Sequence, residues 1–164
     1  MSYNIVLELL VDALCAGVAS IGFGAISSPP YRAFRYIALL AAIGHACRFA
    51  LMNYLSVDIA SASFFSAVLI GLGSFVFGRL IFCPTTVLSI PAVLPMIPGK
   101  FAYNTIFGLI MFMHNVDNPT EKAKYFDMMI SNGFIAASVL FLLSIGVTIP
   151  VFVFYKKAYS LTRH

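Results

Sequence analysis

The chain's 164 residues are 61% hydrophobic and only 10% charged, whereas a soluble domain is nearer half apolar and about a quarter charged, so the composition excludes a soluble globular protein and indicates an integral membrane protein. One membrane span needs about 20 residues, which limits the chain to about five or six crossings and leaves no room for a separate soluble domain. The formal net charge of +4 is a modest excess that indicates cytoplasmic loops and not a nucleic-acid partner.

Apolar segments predict an all-α, polytopic integral membrane protein with one transmembrane domain over residues 1–164. The five predicted spans cover residues 4–26, 33–54, 61–82, 84–114 and 128–154. A polar connector, residues 115–127, precedes the last span and is expected to lie in water. Small residues recur three or four apart in the first and third spans, which lets helices approach closely. A homo-oligomer and a contact with a different chain are both compatible with that pattern.

Ionisable side chains interrupt the apolar sequence of the first two spans. Glu8 and Asp12 are the charges of the first span, and His45 and Arg48 lie in the second. At a rise of about 1.5 Å per residue, Asp12 and Arg48 come to similar depths in antiparallel spans, so we expect these two charges to pair. Two interpretations stay open: a structural ion pair or solvated rim, and a site of proton coupling or substrate contact.

Prolines interrupt the predicted fourth span, because each internal proline removes a backbone donor and clashes with the preceding turn. Residues 84–114 are too many for one straight crossing of a core about 30 Å thick and too few for two. Either a re-entrant half-helix precedes the span or one long helix is broken. Transporters often bind substrates at such breaks. We therefore expect a substrate site formed by the following residues: Pro91, Pro95, Pro98, Gly99, Lys100, Tyr103 and Asn104. A kink that serves only packing is the alternative.

Basic residues of the short connections and the tail predict the orientation. They are Arg32, Arg35, Arg79, Lys156, Lys157 and Arg163. Five crossings put all of them on one side, so the positive-inside rule predicts that the amino terminus lies outside and the carboxyl terminus inside. Lys122 and Lys124 are an exception, since their connector would face outside.

The run VLSIPAVLPMIPGKFAY, residues 87–103, resembles the signature of the threonine/serine exporter (ThrE) family, in which an apolar stretch ends in a Pro-Gly pair before an aromatic-containing helix. The five spans are similar to the carboxyl-terminal half of those exporters. In many bacteria that half is a separate small subunit, as in a two-component dicarboxylate (succinate) exporter. The resemblance implies efflux of threonine, serine or succinate-like carboxylates across the bacterial inner membrane, together with a larger five-span partner. Lys100 matches no established role in that family.

Two other classes of function stay open. One is a membrane assembly or stabilising subunit that has no transport site of its own. The other is a membrane enzyme, which would rest on Asp12, His45 and Arg48 alone, since the sequence contains no HExxH, GxSxG or metal-ligand motif. We expect no enzyme activity, catalytic residue, metal or cofactor. The expected partners are the lipid bilayer, the larger exporter subunit and a small-molecule substrate, and not nucleic acid.

Overall fold

A computed structural model describes residues 2–154, with side chains described from Ile5 onward. The basic tail residues Lys156, Lys157 and Arg163, which contribute to the predicted orientation, lie outside this range. The described residues form helices and no strand, which confirms the all-α class. In chain order the elements are α1 (Ser2–Ile26), α2 (Tyr31–Tyr54), α3 (Ile59–Ile81), α4 (Thr85–Val93), a 3-10 turn (Leu94–Met96), α5 (Gly99–His114) and α6 (Pro119–Val153).

Four of these helices, α1, α2, α3 and α6, are long and apolar enough to cross a membrane. The segment Thr85–Met96 and helix α5 form a bent pair that counts as a fifth crossing if the pair is one span. These observations confirm a polytopic membrane protein with a broken segment where the prolines predicted it. The chain breaks at Ile97 and Pro98, because Pro98 has no backbone N–H and holds a non-helical ψ of 70°.

The last helix extends further toward the amino terminus than the predicted span. It begins at Pro119 instead of residue 128, so most of the polar connector is helical. The Asn118 carbonyl accepts from the Lys122 amide at 2.9 Å, which closes the first helical turn. Proline at the first helical position costs no hydrogen bond, since that N–H would be unpaired in any case. The polar composition of this stretch therefore marks an exposed helix end.

Local signals fix the ends of α3. The side chain of Asp58 accepts a hydrogen bond from the Ser61 amide at 2.9 Å and caps the amino terminus. At the other end, Phe82 adopts a left-handed conformation with φ of 53°, and the Cys83 amide donates to the Gly78 carbonyl at 2.9 Å. Because these contacts satisfy backbone groups at both ends, α3 has well-defined limits.

The described residues fall into two compact units. The first unit contains the described parts of residues 1–96 and 142–164, and α1 packs on α2 through a close contact at Gly17. A Cβ at that position would lie 3.3 Å from the Ala38 carbonyl oxygen, which is tighter than an ordinary contact. The buried apolar core of this unit includes Ala33, Ile37, Leu40, Ala41, Ala62, Ala67, Ile70, Leu88, Ala92 and Met96.

The second unit contains residues 97–141, which are α5 and the first part of α6. The two helices approach each other closely at Gly108. A Cβ there would lie 2.9 Å from the Met129 backbone nitrogen and 3.0 Å from the Tyr125 carbonyl oxygen. Because both neighbours are backbone atoms, a larger residue at position 108 would push the helices apart.

Candidate functional site

A carboxylate from α1 meets an imidazole from α2 in the first unit. The Oδ2 of Asp12 lies 3.0 Å from the Nδ1 of His45. His45 is 5% exposed, whereas the Asp12 side chain is 41% exposed. Since an ionised carboxylate only accepts hydrogen bonds, Nδ1 is the nitrogen that donates. The contact joins two membrane-spanning helices through a buried polar side chain.

Arg48, one turn after His45, contacts the end of the broken segment. Its Nη1 donates to the Met96 carbonyl oxygen at 2.9 Å. That carbonyl closes the 3-10 turn at the point where the helix stops, so the backbone offers it no helical donor. A carbonyl inside a membrane needs a partner, and Arg48 supplies it. We call Asp12, His45, Arg48 and the Met96 carbonyl the charged cluster.

The predicted ion pair of Asp12 with Arg48 is corrected by this geometry. Within residues 5–154, the ion-pair partner of Asp12 is His45, and Arg48 makes no ion pair. The reason is reach along α2: His45 and Arg48 are three residues apart and share a helix face, but the longer Arg48 side chain extends to the 3-10 turn. A depth estimate from helical rise places both residues near Asp12 and does not decide which one contacts it.

The second ring nitrogen of His45, Nε2, is a buried polar atom with no hydrogen-bond partner within residues 5–154. The 3-10 turn packs closely here because α2 has a glycine beside the histidine. A Cβ at Gly44 would lie 2.5 Å from the Ile70 Cδ1 and 2.9 Å from the Met96 Cε, so a larger residue would displace both side chains. An unsatisfied buried nitrogen is unusual in a native structure and often has a functional reason.

The predicted site residues that follow the break belong to the second unit. Gly99 and Lys100 are exposed at the start of α5, and Lys100 makes no ion pair with any described residue. The Gly99 amide donates to the Ile97 carbonyl at 2.8 Å, and the Phe101 amide donates to the Pro98 carbonyl at 3.1 Å. Two of the first amides of α5 are therefore already paired, which reduces the number of donors available to an anion at this helix end.

Asn104 contacts a residue that the sequence interpretation did not single out. Its Nδ2 lies 3.4 Å from the Oδ1 of Asn132 on α6, and Asn132 in turn donates to the Met128 carbonyl at 2.7 Å. The sequence signal for Asn132 was a polar amide side chain within the apolar run of the last predicted span. Next to this pair is an open pocket of about 290 Å³, lined by Thr105, Met129, Ile130, Gly133, Phe134 and Ala137. Its lining is mostly apolar.

The side chains of the remaining predicted residues make no polar contact with any described residue. Pro91 and Pro98 are buried, Pro95 is half-buried in the 3-10 turn, and Tyr103 is 66% exposed with its ring stacked on Phe107. Glu8 is exposed, one turn before Asp12. No group of three or more His, Cys, Asp and Glu side chains within residues 5–154 is placed to hold a metal ion. The structure thus brings together Asp12, His45 and Arg48 with the end of the broken segment.

Comparison with known proteins places this arrangement in a family. The family model described as "Threonine/Serine exporter, ThrE" matches residues 12–153, which include the whole charged cluster and the break. Over 152 residues the chain is 30% identical to an uncharacterized protein of Haemophilus influenzae. The aligned stretch covers 92% of this chain and 49% of that protein. The chain therefore spans about half the length of this curated relative, and no solved structure matches it. The chain belongs to the threonine/serine exporter (ThrE) family.

Proposed function

We propose that the chain is one subunit of a secondary exporter that moves small hydrophilic solutes out across the bacterial inner membrane. Its family supports amino acids of the threonine/serine type as substrates, and small carboxylates such as succinate are the second substrate class. The observation that carries the proposal is the charged cluster. Ionisable side chains within membrane-spanning helices are costly, and they usually belong to a substrate or ion pathway. Here they also contact the end of a broken helix, where transporters commonly bind their substrates.

The second part of the proposal is a larger five-span partner. The relative from Haemophilus influenzae has about as much chain outside the matched stretch as inside it. Many secondary carriers are built from two repeats of opposite orientation. Two copies of a five-span chain inserted in the same orientation do not form such an arrangement, whereas a second type of subunit can.

Co-purification tests for the partner. The tagged chain is extracted from its native membranes in a mild detergent, and the bound proteins are identified by mass spectrometry. We expect a larger protein with five apolar segments in stoichiometric amount. Recovery of the chain alone, or only with further copies of itself, would contradict the two-component arrangement.

The broken segment is the proposed route for the substrate, with Lys100, Tyr103 and Asn104 as polar groups after the break. Lys100→Gln should weaken efflux of a carboxylate-bearing substrate from preloaded vesicles without loss of folded protein, because it removes a full charge beside the amino terminus of α5. Pro95→Ala should also reduce efflux, since alanine permits a straighter helix at the 3-10 turn. Lys124→Gln is the matched control, because Lys124 is an exposed lysine in a surface pair with Glu121.

Normal efflux by both Lys100→Gln and Pro95→Ala would show that the break is a packing kink. The substrate site would then lie elsewhere, either at the charged cluster or wholly in the partner. We also propose that the amino terminus lies outside and the carboxyl terminus inside, as the distribution of basic residues indicates.

A further inference from the structure

Two opposite charges of the charged cluster are close to each other but do not pair. Asp12 contacts His45, and Arg48 lies one turn after His45 on α2, yet Asp12 and Arg48 form no ion pair with each other. The hydrogen bond that Arg48 makes within the described residues goes to a neutral carbonyl. An arginine in a membrane-spanning helix without an anionic partner is unfavourable, and Asp12 uses only one of its two oxygens on His45. A ligand that carries both charges would compensate both residues.

We propose that Asp12 and Arg48 bind the two ends of a zwitterionic amino acid, with the substrate ammonium group against Asp12 and the substrate carboxylate against Arg48. This inference rests on the proposed function, and it selects between the two substrate classes that the proposal includes. Arg48 uses one N–H on the Met96 carbonyl, and a guanidinium has five, so donors remain for a bidentate contact with a carboxylate.

The Asp12 carboxylate is available for the other end of the ligand. Only its Oδ2 contacts His45, and the side chain is 41% exposed; since Oδ1 has no partner among the described residues, it can accept from an ammonium group. His45 is the positioning residue, because its Nδ1 holds the carboxylate in place from a buried site on α2. Its Nε2 is buried and has no hydrogen-bond partner among the described residues.

Asp12 is then the residue that determines specificity. A dicarboxylate bound to Arg48 by one end would bring its second negative charge to the Asp12 side of the cluster. Like charges at close range in a low dielectric are strongly unfavourable, so Asp12 would reject succinate while accepting threonine. Removal of the Asp12 charge should relax this discrimination.

Four small molecules test the two charged ends of the proposed ligand separately. Threonine carries both charged groups, threoninol has the ammonium group alone, 3-hydroxybutyrate has the carboxylate alone, and succinate has two carboxylates. Binding of each radiolabelled compound is measured on the full-length chain purified together with its co-purifying partner. In the wild type we expect threonine to bind most tightly and succinate most weakly.

The two variants should show opposite patterns. Asp12→Asn should weaken the binding of threonine and threoninol by about tenfold or more, since hydrogen bonds between charged groups are stronger than those between neutral groups. The same substitution should leave the affinity for 3-hydroxybutyrate nearly unchanged and raise the affinity for succinate. Arg48→Gln should weaken the binding of threonine and 3-hydroxybutyrate and leave the binding of threoninol unchanged. Asp117→Asn, at an exposed acid in the polar connector, is the control and should match the wild type for all four compounds.

Equal weakening of all four compounds by Asp12→Asn would overturn the proposal, because it would show a role in folding and not in recognition. If Asp12→Asn does not yield folded protein, Asp12→Glu keeps the charge and must keep the preference for threonine over succinate. Export assays separate a failure of this inference from a failure of the proposed function. Threonine export with unaltered selectivity in both variants rejects this inference alone, whereas export of neither threonine nor succinate rejects the proposed function.

Discussion

The close approach of α5 to α6 at Gly108 gives a quantitative prediction for Gly108→Ala. The new Cβ would lie 2.9 Å from the Met129 nitrogen and 3.0 Å from the Tyr125 carbonyl oxygen, compared with 3.4–4 Å for an ordinary contact. Neither backbone atom can rotate away, so α5 and α6 must separate by several tenths of an ångström. Such overpacking costs about 1–3 kcal/mol. The higher helix propensity of alanine returns about 0.5–1 kcal/mol, which leaves a net loss of roughly 1–2 kcal/mol.

Thermal unfolding in detergent, followed by circular dichroism, measures this loss. At about 2–4 °C per kcal/mol for a chain of this size, the midpoint should fall by roughly 2–8 °C. Gly22→Ala is the matched control, because a Cβ at Gly22 meets no atom within 4 Å. Its midpoint should be unchanged or slightly higher. A Gly108→Ala protein as stable as the Gly22→Ala protein would refute the close packing of α5 on α6.

Three further predictions follow from other contacts. Arg48→Gln should lower the free energy of unfolding by about 1–3 kcal/mol, because a carbonyl at the helix break loses its donor; urea or thermal unfolding measures this. The hydrogen bond from the Ser61 backbone amide lowers the pKa of Asp58, so its stabilisation is present above about pH 4 and is lost as the pH falls through the folded-state pKa. The destabilisation by Asp58→Ala should therefore shrink in acid. Single cysteines at positions Ser56 and Asn118 should react with an impermeant reagent from outside; inside labelling at Asn118 would contradict five crossings.

The sequence was sufficient to predict the helical class and the position of the break. Long apolar runs leave no other spanning structure in a membrane, because every backbone group must be paired within the segment. Pro98 marks the break directly, since a residue without an N–H cannot continue the hydrogen-bond ladder. The start of α6 at Pro119 was not predicted, because a polar composition does not distinguish an exposed helix end from a loop.

The members of the charged cluster could be named from sequence, but their pairing could not. Asp12, His45 and Arg48 stand out as ionisable residues in apolar spans. Their contacts depend on the helix faces that α1 and α2 present and on the reach of each side chain, and helical rise specifies neither. The bond from Arg48 to the Met96 carbonyl also could not be predicted, since it joins residues 48 positions apart through a backbone atom.

Efflux of radiolabelled threonine from preloaded vesicles tests the central claim most directly. Vesicles are prepared with this chain alone, with the larger co-purifying protein alone, and with both together. The proposed function predicts threonine efflux only when both chains are present, with loss of efflux in the Arg48→Gln variant at equal amounts of folded protein. Equal efflux by the larger protein alone would contradict the claim that this chain forms part of the transport pathway.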